Sequence, residues 1–177
     1  MSTATLGLGD EVREQEGFSE YVAARWPRLV RSAVLLGCSP AEAEDVVQAT
    51  LIRCLTRWSR VISAHDPDAY VHRVLINTFT SARRRRWTAE RPTEGLPEHA
   101  MDDVTAVVDD ADAVLRALQG LSEDQRRVVV LRYYAQLSEQ QTASALGIAP
   151  GTVKSRLSRA LRTMSQNPGL IEARGSR

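Results

Sequence analysis

Between Leu137 and Ala160 the chain marks both ends of one short helix and the start of another. Ser138 followed by Gln141 forms a capping box, in which the hydroxyl and the amide side chain satisfy each other's backbone N–H groups at a helix start. Gly147 supplies a residue free to adopt the left-handed conformation that stops a helix. Pro150 then stands where the first turn of a helix tolerates proline. Two helices joined by so sharp a turn predict a helix-turn-helix, a unit whose second helix fits a DNA major groove.

A step of about 100° per residue divides the second helix into faces. Val153, Leu157, Ala160, Leu161 and Met164 fall on one side, and Thr152, Ser155, Ser158, Arg159 and Arg162 on the other. Lys154 and Arg156 flank the polar side. Groove-reading helices use mainly their N-terminal half for base edges, which selects Thr152, Ser155, Arg156 and Arg159. Lys154 and Arg162 suit phosphates, which position a protein without specifying a sequence. An amphipathic surface helix with a solvated basic face is the plain alternative, and the capped helix and turn before it favour nucleic acid.

The net charge of +1 over 177 residues conceals a pattern. Residues 1–17 are net −3, residues 18–87 net +5, residues 88–112 net −7 and residues 113–177 net +6. Two basic blocks flanking an acidic segment predict two nucleic-acid-facing modules and a linker. The expected division is an acidic extension over 1–17, a helical domain over 18–87, a flexible acidic linker over 88–112, a helix-turn-helix domain over 113–165 and a tail over 166–177. No apolar run is long enough to span a bilayer. The polar, acidic start does not read as a signal peptide, so a cytoplasmic location is expected. Cys38 and Cys54 lack metal-ligand spacing and read as cytosolic thiols, although a disulfide stays open.

The first basic block reads as several helices. Phe18 to Leu36 is one, with a bend or division expected at Pro27. Ser39 and Glu42 form a second capping box. The helix they open places Ala43, Val46, Val47, Thr50, Leu51, Cys54, Leu55 and Trp58 in one stripe, which predicts a core face. Asp66-Pro67 starts another helix, with Val71, Val74, Leu75, Thr78 and Ala82 inward. Its opposite side carries Arg73, Asn77, Thr80 and Arg84, leading into Arg83-Arg84-Arg85-Arg86-Trp87. Basic, amide and hydroxyl groups ending beside an aromatic suit a single-stranded or melted backbone. A solvated basic helix end that complements the helix dipole is the alternative. Pro92, Gly95 and Pro97 punctuate the acidic segment, and helical pattern resumes at Val114, Leu115 and Leu118. Ser122 and Gln125 form a third box. No strand-like alternation appears, so the fold class expected is all-α, in two small helical domains.

Taken in order, these segments resemble the extracytoplasmic-function (ECF) sigma factors, the minimal two-domain promoter-specificity subunits of bacterial RNA polymerase. The resemblance spans Phe18 to Met164. It is carried by Ala43-Glu44-Asp45-Val46-Val47-Gln48, by Asp68 through Thr78, by the arginine run, and by Leu121-Ser122 through Arg159. The Tyr70-Val71 and Arg73-Val74-Leu75 steps, Asn77 and the Arg-Arg-Arg-Trp ending look most like an actinobacterial, SigE-like subgroup. The resemblance implies that the helix with Glu44, Asp45, Gln48 and Arg53 docks on the clamp helices of the largest polymerase subunit. It implies that Arg73, Asn77, Thr80, Arg83, Arg84 and Trp87 belong to the part that opens and reads the −10 element. The helix-turn-helix would read the −35 element and lie near the polymerase flap, with Lys154, Ser155, Arg156 and Arg159 at DNA-contacting positions. The acidic linker resembles the segment that threads toward the polymerase active centre. An anti-sigma factor is an expected partner. No cofactor, metal, small-molecule substrate or membrane insertion is expected.

Two positions depart from the family pattern. Ala49 replaces a frequent Glu after the docking-helix Gln, and Ala149 replaces the usual Ser cap of the recognition helix, at a cost of about 1 kcal/mol. Catalysis is not expected, because His65, His72 and His99 are scattered and no nucleophile, phosphate-loop or metal spacing accompanies them. A free-standing helix-turn-helix regulator is the competing reading. It would bind paired half-sites as a dimer and would not need the first basic domain. A polymerase-binding adaptor that never touches DNA is a third.

Overall fold

The computed structural model describes residues 4–89 and 108–166, with side chains described over 15–86, at 88 and over 114–166. Helix α1 runs over Ala4–Leu36. It therefore begins well before Phe18, and it passes through Pro27 undivided. Proline removes one backbone bond from a helix. Buried Leu29, Ala33 and Leu36, spaced on one face, hold the turns that follow it. Gly37, at φ 111°, ends the helix where an L-residue would be strained.

Helix α2, Pro40–Leu55, opens on the Ser39/Glu42 capping box, with both reciprocal bonds formed. Ala43, Val46, Val47, Thr50, Leu51 and Cys54 are buried along the expected stripe. Leu55 departs from it, being 47% exposed. Steps of 100° carry it to the stripe's edge, where the last turn meets solvent. Helix α3, Trp58–Ile62, buries Trp58, against which Phe18 packs edge-on at 5.2 Å and Tyr21 at 5.4 Å. Helix α4 spans Pro67–Ala89. Ahead of it, Asp66 Oδ1 accepts the Ala69 N–H at 2.9 Å and caps its first turn.

The second domain starts with α5, Val108–Gln119, and α6, Glu123–Val129, the latter opened by the Ser122/Gln125 box. Helix thus extends to Ala89 on one side and begins at Val108 on the other, inside the stretch 88–112 expected to be linker. Residues 90–107 lie outside the described residues, as do the tail residues 167–177. Helix α6 continues as a turn of π-helix, Val130–Tyr134, closed by the Ala135 N–H on the Val130 carbonyl at 2.9 Å. Then come α7, Glu139–Leu146, and α8, Pro150–Ser165. All described elements are helical, as the sequence predicts.

The helix-turn-helix has a small core of its own, made by Val128, Ala143 and Val153. A larger cluster joins both domains, running from Leu29, Val47 and Leu75 to Leu118, Val130, Leu131 and Leu137. Helix α1 packs against α6 and its π-turn, and α4 packs against α7. This contact explains a buried arc on α4 that one-stripe periodicity misses. His72, Ile76 and Phe79 are at most 4% exposed, yet they lie outside the stripe of Val71, Leu75 and Thr78. The second domain covers that arc. Phe79 sits beneath the Arg127 guanidinium at 5.9 Å, and His72 shares a crevice with Ala135.

Candidate nucleic-acid interface

The turn before α8 forms as the sequence demands. Ser138 and Gln141 make both capping-box bonds, and Gly147 adopts the left-handed conformation at φ 66°. Pro150 opens α8, and Ala149 offers it no side-chain cap. Val153 and Ala160 are fully buried beneath the helix, with Leu157 and Met164 packed against the core. Leu161, expected on the buried side, is 40% exposed, at the margin of that stripe.

Lys154, Ser155, Arg159 and Arg162 all project into solvent, and Thr152 is half-buried. Ser155 Oγ donates to the Thr152 carbonyl at 3.1 Å, and Arg159 reaches Ser155 Oγ at 3.5 Å. This leaves a short basic ridge along the outer face of α8. Arg156 differs from its neighbours. Its guanidinium meets Asp124 on α6 at 2.7 Å, so any further partner would have to share it or displace that carboxylate. Asp124 in turn is 3.8 Å from Arg127. The Asp124 partnership was invisible in sequence, where Ser122 and Gln125 read only as a capping box.

On α4, Arg73, Asn77, Thr80 and Arg84 line one exposed stripe, on the side away from the core. Among the described residues Arg73, Asn77 and Arg84 have no side-chain partner. Thr80 Oγ1 donates to the Ile76 carbonyl at 2.8 Å and accepts from Arg127 at 3.2 Å. Arg83 stands 3.7 Å from Glu123. Arg86 pairs with Glu42. Burial alone would push the Glu42 pKa up, but the Ser39 N–H and Arg86 outweigh it and hold the carboxyl below its usual value. The side chain of Trp87 lies outside the described residues.

Glu44, Asp45 and Gln48 are exposed together on α2, opposite its buried stripe. Arg53 is also exposed, but its guanidinium donates to Thr78 Oγ1 on α4 at 2.7 Å. It therefore ties α2 to α4 as well as facing solvent. Exposed Ile52 and Leu55 continue the Asp45 and Gln48 face, an apolar extension that the polar pattern did not reveal. Cys38 and Cys54 are free thiols, and burial pushes each up to about 11. No group of acidic, His or Cys side chains among the described residues is arranged to hold a metal. No helix among the described residues is long and apolar enough to cross a membrane.

Two family models match the chain: Sigma-70 region 2 over residues 22–89, and Sigma-70 region 4 over residues 111–164. The chain is 46% identical over 144 residues to the RNA polymerase sigma-E factor of Streptomyces coelicolor, covering 81% of each protein. It is 36% identical over 155 residues to the ECF RNA polymerase sigma factor SigL of Mycobacterium tuberculosis, covering 83% of this chain and 84% of that one. Its fold is similar to that of the sigma factor RpoE co-crystallised with the anti-sigma factor NepR from Bartonella quintana. That match has a TM-score of 0.68 at 27% identity, over 85% of this chain and 96% of the other.

Proposed function

Because the chain belongs to the ECF sigma factors of bacterial RNA polymerase, we propose a role for each of its exposed faces in directing promoter-specific initiation. The observation that carries the proposal is the pairing of two separate basic faces with an exposed acid-and-amide face. One basic face is on α4, one is on α8, and the third lies on α2. A free-standing operator-binding protein needs only the face on α8.

Glu44, Asp45, Gln48 and Arg53 on α2 dock on the clamp helices of the largest polymerase subunit. Arg73, Asn77, Thr80, Arg83, Arg84 and Trp87 hold the opened −10 strand. Phosphate pairing supplies sequence-independent affinity there, while capture of unstacked bases lowers the cost of keeping the duplex open. On the −35 element, Thr152, Ser155, Arg156 and Arg159 meet base edges, and Lys154 and Arg162 meet phosphates. The helix-turn-helix domain sits against the polymerase flap while it does so, and an anti-sigma factor holds the chain in reserve. The chain performs no bond-making chemistry of its own; it supplies binding energy to a polymerase that does. Its place of action is the cytoplasm.

The test is run-off transcription with purified, sigma-free core polymerase on fragmented genomic DNA, with sequencing of transcript 5′ ends. Ends that depend on this chain and share two spaced upstream motifs are expected. Binding to core without new start sites would favour an adaptor that does not touch DNA. No binding to core would favour the free-standing regulator.

A further inference from the structure

The basic side chains of α8 do not share one degree of freedom. Lys154, Arg159 and Arg162 are exposed, and among the described residues Arg156 is the one cation of this helix that meets a carboxylate. Its Nη2 lies 2.7 Å from Asp124 Oδ2, with the Arg156 side chain 27% exposed and that of Asp124 51%. At such exposure an ion pair adds little to stability. Its geometry is nevertheless held from both sides. Asp124 stands in the first turn of α6, where the helix dipole favours a carboxylate. Its other oxygen, Oδ1, is 3.8 Å from Arg127, one turn on. Helices α6 and α8 share the small core of Val128, Ala143 and Val153, which fixes the backbones carrying Asp124 and Arg156 relative to each other.

A guanidinium carries its N–H donors in one plane. A carboxylate that takes one edge leaves the remaining donors in a set orientation, suited to two acceptors in a plane such as guanine O6 and N7. The long arginine side chain has then given up its rotamer freedom before DNA arrives. The carboxylate also offsets the positive charge, which weakens the attraction to phosphates that every sequence shares. Arg159, three residues on, has only Ser155 Oγ beside it, at 3.5 Å, and keeps the freedom to swing between bases and phosphates.

We propose that Asp124 is a specificity-determining positioning residue of the −35 interface. It shares Arg156 with DNA, orienting the guanidinium toward one base edge and restraining it from the phosphates. The proposal deepens the assignment of α8 to the −35 element and rests on it. Asp124 itself lies on α6, outside the helix-turn-helix, and acts only through Arg156.

The test measures the affinity of holoenzyme, assembled from core polymerase and the full chain, for promoters varied one base pair at a time across the −35 element. Arg156→Ala should relax the preference at one base pair by about tenfold. Asp124→Ala keeps Arg156 and leaves Ser122 to cap α6, and it should relax the preference at that same pair by about threefold or more. Across the remaining −35 variants its binding should be as tight as wild type or tighter, with a salt dependence steeper by about one phosphate contact. The double variant should discriminate no less than Arg156→Ala alone, since the two residues act as one unit. A preference that survives Asp124→Ala at the pair relaxed by Arg156→Ala would overturn the positioning role. So would uniform weakening over all promoters with a lower urea midpoint, the mark of a bond that only ties α6 to α8. If Arg156→Ala relaxes no base pair while Arg159→Ala does, the proposal fails and the −35 assignment of α8 stands. If neither variant relaxes any base pair, that assignment fails as well.

Discussion

Arg156 and Arg159 are three residues apart on one helix, and their surroundings separate their expected behaviour. Arg159 is exposed, with only Ser155 Oγ near it, and is free to make a bidentate contact with a guanine edge. Arg159→Ala should therefore relax discrimination at a single base pair by about 1–3 kcal/mol. Measuring affinity for promoters varied one position at a time distinguishes that outcome from uniform weakening, which would make it a phosphate contact. Arg156 already has Asp124, so the sequence pattern that selects it as a base reader gives only half its role. Docking is tested on α2. Asp45 is exposed away from the buried stripe, so Asp45→Arg should abolish core-polymerase binding while leaving the helical circular dichroism signal and the unfolding midpoint unchanged. Retained affinity would remove Asp45 from the docking face. At this scale the sequence displays residue types and periodicity but not partners. Exposed arginines with and without an acidic neighbour look alike until the chain is folded.

Helix starts are the features most legible before the structure. Ser39, Ser122 and Ser138 each form the box that the spacing to Glu42, Gln125 and Gln141 predicts, because capping is local and depends on four consecutive residues. Helix ends and irregular turns are less so. The π-turn over Val130–Tyr134 has no local sequence signature, and the continuation of α1 through Pro27 depends on burial contributed by other helices. The weakest start is that of α8, where Ala149 leaves the first turn without a side-chain acceptor. Ala149 already has extended backbone at φ −70° and ψ 147°, the geometry of a capping residue. Ala149→Ser should therefore stabilise the chain by about 1 kcal/mol, read as a higher urea midpoint at constant slope. A drop in stability would show that the cap position is not open to a hydroxyl.

The two-domain, all-helical plan was legible from charge blocks and periodicity, whereas the closure of one domain on the other was not. Periodicity reports a face that is buried, but it does not say against what, and a second buried arc produces no second period. The arc of His72, Ile76 and Phe79 on α4 is such a case. It also gives the closed molecule a pH dependence. His72 is 4% exposed, and its Nδ1 lies 2.8 Å from the Asp68 carbonyl. A carbonyl only accepts, so Nδ1 carries the proton, and the buried Nε2 is left without a partner. Protonating Nε2 would bury a charge near Arg28. Burial lowers the His72 pKa first, Arg28 adds to the lowering, and the opposing pull of the Asp68 carbonyl and of the Asp68 and Asp66 carboxylates does not cancel it. As pH falls through 6.5, the ordinary value, the unfolded chain takes up this proton before the folded one does. Stability is thus fully present above that pH and declines below it. Asp68 extends the loss into stronger acid. Burial alone would raise its pKa, but bonds from Arg25 and Tyr21 lower it below the usual 3.8, so its contribution is fully present above 3.8 and is lost as the pH falls from there through the lowered value. The urea midpoint of the full chain should drop between pH 7.5 and 5.5, and His72→Gln, which does not titrate, should flatten the profile in that window. A wild-type midpoint that stays constant there would mean that His72 is not held neutral between the two domains.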